Sequence, residues 1–345
     1  MPRWLKIFLI VLVFFTAGAI ALLRTPRPLE YVLAKVLQRQ IPDAKINSVN
    51  ISEYHLKDQQ AFLDQVSIDF SLKGVDYLVH SDQVNVGSWR ALLGNFSNDF
   101  TVKGLHLVSK DIKFSNGVAK IRYETVSKKE WVAQGHARFP VGSYIKQGIM
   151  GLEFDFVAKP KSFTFKDIQA NAFKGKINGE FMLEYKAELP YSMDILFTGI
   201  DTTVLPPQVD ISQQFKGVID GTLRVTGDVK NIKQVEAKIN APKGAFASAD
   251  FLRLFTFFTR MSGDPYTKVV EVAINLKNEH FLETFNLELK NVGNEKLSSD
   301  VNFKSKSSNL DFHATYDINL DAELGSLFQS GQQLMDFYKK YFEKK

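Results

Sequence analysis

The sequence predicts a mainly β chain: an N-terminal transmembrane helix, then a long antiparallel sheet with a few short helices and an amphipathic helix at the end. Three observations carry this. Apolar residues alternate with polar ones almost without interruption from Gly151 to Leu320. The alternating stretches are short and separated by hairpin-length Gly, Asn and Asp turns, the pattern of antiparallel strands. Before them stands an uncharged run from Ile7 to Leu23.

That run, centred near Phe14 and flanked by Arg3, Lys6 and Arg24, is about 25 Å long as a helix, the short end of what crosses a bilayer core of about 30 Å. Trp4 adds an interfacial aromatic. A cleaved signal peptide ending near Ala17-Gly18-Ala19 is the competing reading. The length and the large Leu22-Leu23 favour retention as an anchor, Ile7, Phe14 and Leu23 included. Either way the bulk of the chain is expected to be exported.

After Pro28 the stretch LEYVLAKVLQRQ carries one apolar stripe and is expected to be helical until Ile41-Pro42. Strands are expected around Val66–Phe70, Val84–Val86, Leu105–Leu107 and Ile112–Phe114, with Ser115-Asn116-Gly117 as a hairpin turn. A short helix is expected at SWRALLGNF. Beyond Gly151 the alternating sets are Leu152/Phe154/Phe156, Phe163/Phe165, Ile177/Phe181/Leu183, Met193/Ile195/Phe197, Ile219/Leu223/Val225 and Val235/Ile239. They continue with Val270/Val272/Ile274/Leu276, Phe285/Leu287/Leu289, Val301/Phe303 and Leu310/Phe312/Ala314. One helix interrupts at ASADFLRLFTFFTR, apolar on nearly every side and so expected to be buried. The last segment, residues 324–345, combines Leu327, Leu334, Phe337, Tyr338 and Tyr341 with late lysines. It is either a docking tip for a membrane or partner, or a cap on the last strand.

Composition narrows the chemistry. Apolar residues at 45% and charged residues at 23% exclude a disordered or collagen-like chain. The absence of Cys excludes disulfide scaffolds, thiolate metal sites and Cys nucleophiles. A net charge of +5 over 345 residues is too mild for a nucleic-acid footprint. No phosphate-binding Gly loop, H-E-x-x-H, G-x-S-x-G elbow or dinucleotide fingerprint occurs. His55, His80, His106, His136, His280 and His313 are isolated along the chain and read as strand or surface histidines. No enzyme activity, metal or cofactor is expected. What stands out is the 29 Phe set on an alternating pattern. A β-sandwich core accounts for the composition. A single sheet curled into an open groove, able to hold acyl chains at about 25 cal/mol per Å² buried, accounts for the anchor and the terminal helices as well.

Both ends of the chain resemble the AsmA-like proteins of the bacterial envelope, relatives of TamB and other bridge-like lipid transporters. At the N-terminal end the resemblance rests on the anchor, LAKVLQRQ, INSVNIS, FLDQVSIDF, SDQVNVGSWRALLGNF and VKGLHLVSKDIKF. Further on it rests on FKGKINGEFMLEY, ILFTGIDTTVL, FKGVIDGTLRVTGDVKNIKQVEAKINAPKGAF and FLRLFTFF. The chain departs from the long transporters in its shortness and in its Lys-rich end, LMDFYKKYFEKK. The resemblance implies four segments: an anchor at 1–28, an N-terminal β module at 29–145, a β-groove at 146–323 and a terminal helix at 324–345. It implies a bacterial inner-membrane protein, its bulk in the periplasm, that binds or moves phospholipids between envelope membranes. Outer-membrane or periplasmic proteins are possible partners on this reading, and an assembly factor for outer-membrane proteins is the alternative role. The expected groove lining is Phe154, Phe156, Phe181, Leu183, Ile195, Phe197, Leu223, Val225, Ile274, Phe285, Leu287 and Phe312.

Overall fold

Seventeen antiparallel strands account for most of the described residues of the computed structural model. It describes residues 44–319 except 59, 73, 88–97, 128–129, 185, 187, 206–213, 229–231, 262–265 and 293–295, together with part of 26–38. The expected anchor with Ile7, Phe14 and Leu23, the short helix at 88–96 and the terminal helix at 324–345 lie outside the described residues. Among the described residues no helix is long and apolar enough to cross a membrane. The chain divides into two units. One runs to Tyr144 and includes Asp155–Pro160; the other holds Ile145–Phe154 and everything from Lys161 onward.

The first unit is a meander. Strands β1 (Ala44–Lys57), β2 (Gln60–Leu72), β3 (Val75–Val86), β4 (Asn98–Ser109), β5 (Ile112–Ser127) and β6 (Glu130–Tyr144) each pair antiparallel with the next. Register places Val49, Ile68, Val79, Leu107 and Phe114 in one cross-strand row, and Val102, Ala119 and Ala137 in another. Ile51, Leu63 and Val66 form a small buried cluster with Tyr54 and Val84 against it. The expected helix before β1 is present: the described positions from Arg27 to Gln38 are helical. It covers the open edge of β1, where the Ile51 N–H donates to Glu30 Oε1 at 2.8 Å and the Ile46 N–H to Gln38 Oε1 at 3.3 Å. Satisfying those outward N–H groups blunts an edge that would otherwise pair with another chain.

The hairpin expected at Ser115-Asn116-Gly117 is not a turn. Strand β5 runs straight through it, with Asn116 at φ 56° and the β4–β5 register slipping on both sides of Leu105. Asn tolerates the left-handed region, so the pair makes a bulge and not a reversal. The actual turn lies between Ser109 and Ile112.

Strand β7 (Gln147–Lys159) contributes residues to both units. In the second unit β8 (Ser162–Ala172), β9 (Gly175–Glu184), β10 (Tyr191–Asp201), β11 (Phe215–Gly227) and β12 (Ile232–Asn240) follow as a meander. The start of β11 pairs with β13 (Ala245–Ser248), which pairs with β14 (Glu279–Leu282). The main ladder resumes from β12 to β15 (Thr284–Val292), β16 (Lys296–Ser305) and β17 (Leu310–Asn319), and does not close on itself. Between β13 and β14 lie two helices, α1 (Ala249–Met261) and α2 (Tyr266–Asn275). The Ser248 hydroxyl caps α1, accepting from the Phe251 N–H at 3.1 Å.

Helix α2 corrects the sequence reading, in which Val270, Val272, Ile274 and Leu276 alternate as a strand. At 100° per residue, Val270, Ala273 and Ile274 fall together on one side and Val269, Val272 and Leu276 on the other. Two helical stripes with few polar residues between them imitate a period of two. The inner stripe joins a core of Phe215, Phe251, Leu252, Phe255, Ile274, Leu282, Phe285, Val301, Phe303 and Phe312. Phe303 is fully buried, stacked on Phe312 at 4.7 Å and 6.4 Å from Phe255. His280 is buried as well, bridging the Ser308 hydroxyl at 2.8 Å and the Ile274 carbonyl at the end of α2 at 3.0 Å.

Two outcomes follow from this core. Phe303→Ala should lower the unfolding free energy by about 3–5 kcal/mol, read by denaturant titration, because a fully buried ring leaves a cavity. Burial pushes the Tyr316 hydroxyl from 10.0 up to about 12. The folded state therefore holds that proton more tightly, and its contribution to stability is full below about pH 10 and lost as pH rises toward 12. Ultraviolet titration should show one of the 11 tyrosines ionising last, together with falling stability over that interval.

Candidate functional site: the uncovered apolar face of the second unit

Antiparallel pairing turns the alternation of each strand into continuous rows across the sheet. One row runs Phe165, Phe181, Met193, Val225, Val235. The next runs Gly179, Ile195, Leu223, Ala237, Leu289, Ser299, Tyr316, and a third runs Ile177, Phe197, Gly221, Ile239, Leu287, Val301, Ala314. Phe285, Phe303 and Phe312 make a fourth. All four lie on the same face.

The face is not uniform. Over β15–β17 it is roofed by α1 and α2, so Phe285, Phe312 and Ile274 are core residues at 3%, 5% and 0% exposure, and Leu287 packs against them. The expectation that these four line an accessible groove meets a physical obstacle, since a helical layer already occupies that side. Over β8–β11 the situation differs. Of these strands, the start of β11 joins the helical core, with Phe215 5.1 Å from Phe251 of α1 and Ile219 packed against that core. Phe181, Leu183, Ile195, Phe197 and Leu223 are half-buried, and of the expected lining on these strands Val225 is buried, at 8%.

Aromatic rings organise this open part. Phe165 meets Phe163 at 4.5 Å and Phe154 at 4.8 Å, both edge-on, and Phe181 at 6.3 Å. Edge-to-face packing holds the rings upright over the strands. Phe197 lies over Gly221, where an added Cβ would come within 2.7 Å of its ring, so the glycine is what lets the ring lie flat. Phe156, two residues beyond Phe154, belongs to the first unit, where its ring covers Gly135 in the same way. The hub ring Phe165 and its row neighbour Met193 were not singled out from the sequence as lining residues. Bulges at Asp167 (φ 49°) and Gly199 (φ 68°) shift the register of β8 and β10, so which residues share a row is not countable along the chain.

The opposite face is charged. Asp194, Arg224, Glu236 and Lys290 form a cross-strand row, with Arg224 Nη2 2.6 Å from Asp194 Oδ2 and Lys290 Nζ 3.8 Å from Glu236 Oε1. Lys238 pairs with Glu288 at 3.0 Å beside it. These groups line a cleft of about 470 Å³ with Ser298 and Asp300. The Asp194 hydrogen bond raises the affinity of the Arg224 guanidinium for its proton. The charges largely satisfy one another and offer no apolar wall. Among the described residues no cluster of three or more His, Asp or Glu could hold a metal. Topology does bring His80 and His106 together across β3 and β4 at 5.9 Å, and places His55, His136 and His313 beside Asp64, Asp155 and Asp300.

No protein-family model, curated protein or solved structure matches this chain. The site therefore stands on its own geometry: a Phe-rich apolar face over β8–β11, closed by helices further along and backed by a charged face.

The chain has no Cys, so accessibility along this face can be read directly. In lipid-stripped protein, Ile195→Cys should react with a maleimide in the native state. Val301→Cys, on the same face but beneath the helices, should react only after unfolding. Equal protection at both positions would mean that the face is covered throughout.

Proposed function

We propose that the second unit binds lipid acyl chains along the uncovered apolar face of β8–β11, and that the protein is an envelope lipid-binding or lipid-transfer protein of the AsmA-like kind. One observation carries this reading: a row-ordered aromatic and aliphatic face, half-exposed, beside an equivalent stretch that the same unit roofs with its own helices. A soluble sheet normally buries its apolar face, and an uncovered one marks a binding surface. Straight acyl chains suit it because the rows are continuous, and each buried CH₂ contributes about 0.8 kcal/mol. Headgroups would stay in water at the margin. On this reading the strands form one wall of an open groove, the run from Ile7 to Leu23 holds the chain to the inner membrane, and the cargo is phospholipid. No catalytic step is part of the proposal.

A second reading has its own support. Among the described residues β17 pairs with β16 alone, which leaves one strand edge able to accept a client strand, as an assembly factor for outer-membrane proteins would need.

Lipid extraction and mass spectrometry of the purified full chain separate the two. Acyl-chain binding predicts co-purifying phospholipid, lost in Phe181→Asp and Phe197→Asp while unfolding free energy drops by only about 1–2 kcal/mol. Phe303→Asp, which buries an unpaired charge, should instead prevent folding. A lipid-free wild-type chain would favour the strand-edge reading.

A further inference from the structure

Helix α2 carries an apolar stripe that is exposed among the described residues. Val269, Val272 and Leu276 are 68%, 63% and 75% exposed, among the most exposed large apolar side chains described. On a helical projection they fall within about 60° of one another, on the side turned away from Val270 and Ile274, which enter the core. The stripe is therefore not a by-product of core packing. The inner side of α2 already secures the helix, and Asn275 ties it to α1 by accepting from Arg253 Nη2 at 2.6 Å.

The surroundings say what fits the stripe. Lys268 and Asn275 flank it on the outward arc, which holds no carboxylate. Just beyond the helix, the Lys277 ammonium donates to the Ser307 carbonyl at 2.9 Å, which brings the Lys306 loop alongside. Lys268 and Lys306 have no carboxylate partner among the described residues. Among the described residues, the acids nearby are engaged or turned away. Glu271 sits half-buried on the inward flank with a partner of its own, Glu279 is bound by Lys216 at 2.8 Å, and Glu283 accepts the Lys306 backbone N–H at 2.9 Å. Apolar side chains between lysines that have no ion-pair partner among the described residues are the composition of a helix lying at an anionic lipid surface, where the side chains enter the acyl boundary and the lysines meet phosphates. A protein partner of ordinary polarity would require no such excess of cations.

We propose that α2 seats the second unit on an anionic bilayer surface through Val269, Val272 and Leu276, with Lys268, Lys277 and Lys306 at the headgroups. This contact is separate from the β8–β11 face and does not require that face to hold acyl chains.

The test uses the full chain reconstituted in vesicles, with an environment-sensitive fluorophore on Val272→Cys as the one thiol. In phosphatidylglycerol-rich vesicles containing lipids brominated on their acyl chains, the fluorophore should be quenched. The quenching should fall several-fold in pure phosphatidylcholine, in high salt, or when Val269→Asp and Leu276→Asp are added. A fluorophore on Lys238→Cys, on the charged face of the sheet, should stay unquenched throughout. Absence of quenching in anionic vesicles overturns the proposal. So does shielding of the Val272 position from aqueous iodide in phosphatidylcholine vesicles, which would show the stripe covered by the chain itself or, if sedimentation gives a dimer, by a second copy. Phe181→Asp should leave the quenching intact. Lost lipid co-purification with quenching retained would confirm that the two sites are distinct, and retained co-purification in Phe181→Asp would count against the acyl-binding face alone.

Discussion

An antiparallel sheet with one apolar face has to resolve what lies against that face, and the second unit resolves it in two ways within one ladder. Cross-strand register carries two of the four apolar rows from β9 through β10, β11 and β12 and on into β15–β17, so those rows do not end at a boundary between core and surface. What ends is the cover. The insertion of α1 and α2 between β13 and β14 supplies a second layer over Phe285, Phe303 and Phe312, where rings pack at 4.7–6.4 Å. Elsewhere along the same rows most of the described side chains are only half-buried.

This division places core and surface side by side within one face of the sheet. The roofed end carries the fully buried residues Phe215, Leu252, Ile274, Leu282, Val301 and Phe303, and with them most of what holds the unit together. Cross-strand aromatic pairs and the close approach of Phe197 to Gly221 keep the side chains of the open end ordered. The charged face behind, with Arg224 set between Asp194 and Glu236, keeps the single layer soluble on its other side. Edges are handled with the same economy: side-chain acceptors from the helical stretch before β1 satisfy N–H groups of Ile46 and Ile51.

The polar-apolar alternation by itself determined the class of this protein, because a period of two has one structural meaning when it recurs over many short stretches. Strands β2–β4 and β7–β12 were legible for that reason. Errors arose where local pattern has two geometric solutions. Asn116-Gly117 could reverse the chain or bulge it, and the pairing of β5 with β4 on both sides of Asn116 settles it as a bulge. Val269–Leu276 could alternate as a strand or carry two helical stripes, and only the core waiting for Val270 and Ile274 selects the helix. The apolar inventory of the candidate face was likewise readable, since Phe181, Ile195, Phe197 and Leu223 do share one face. Which members of that inventory are open was not. Exposure depends on what another part of the chain places above a residue, and Phe285 and Phe312 follow the same alternation as Phe181 and Phe197 while lying under a helical layer. Periodicity is a property of neighbours along the chain, whereas cover is a property of neighbours in space, and that is why the sequence settled the faces of this sheet and the tertiary structure alone decided which part of one face is a core and which a surface.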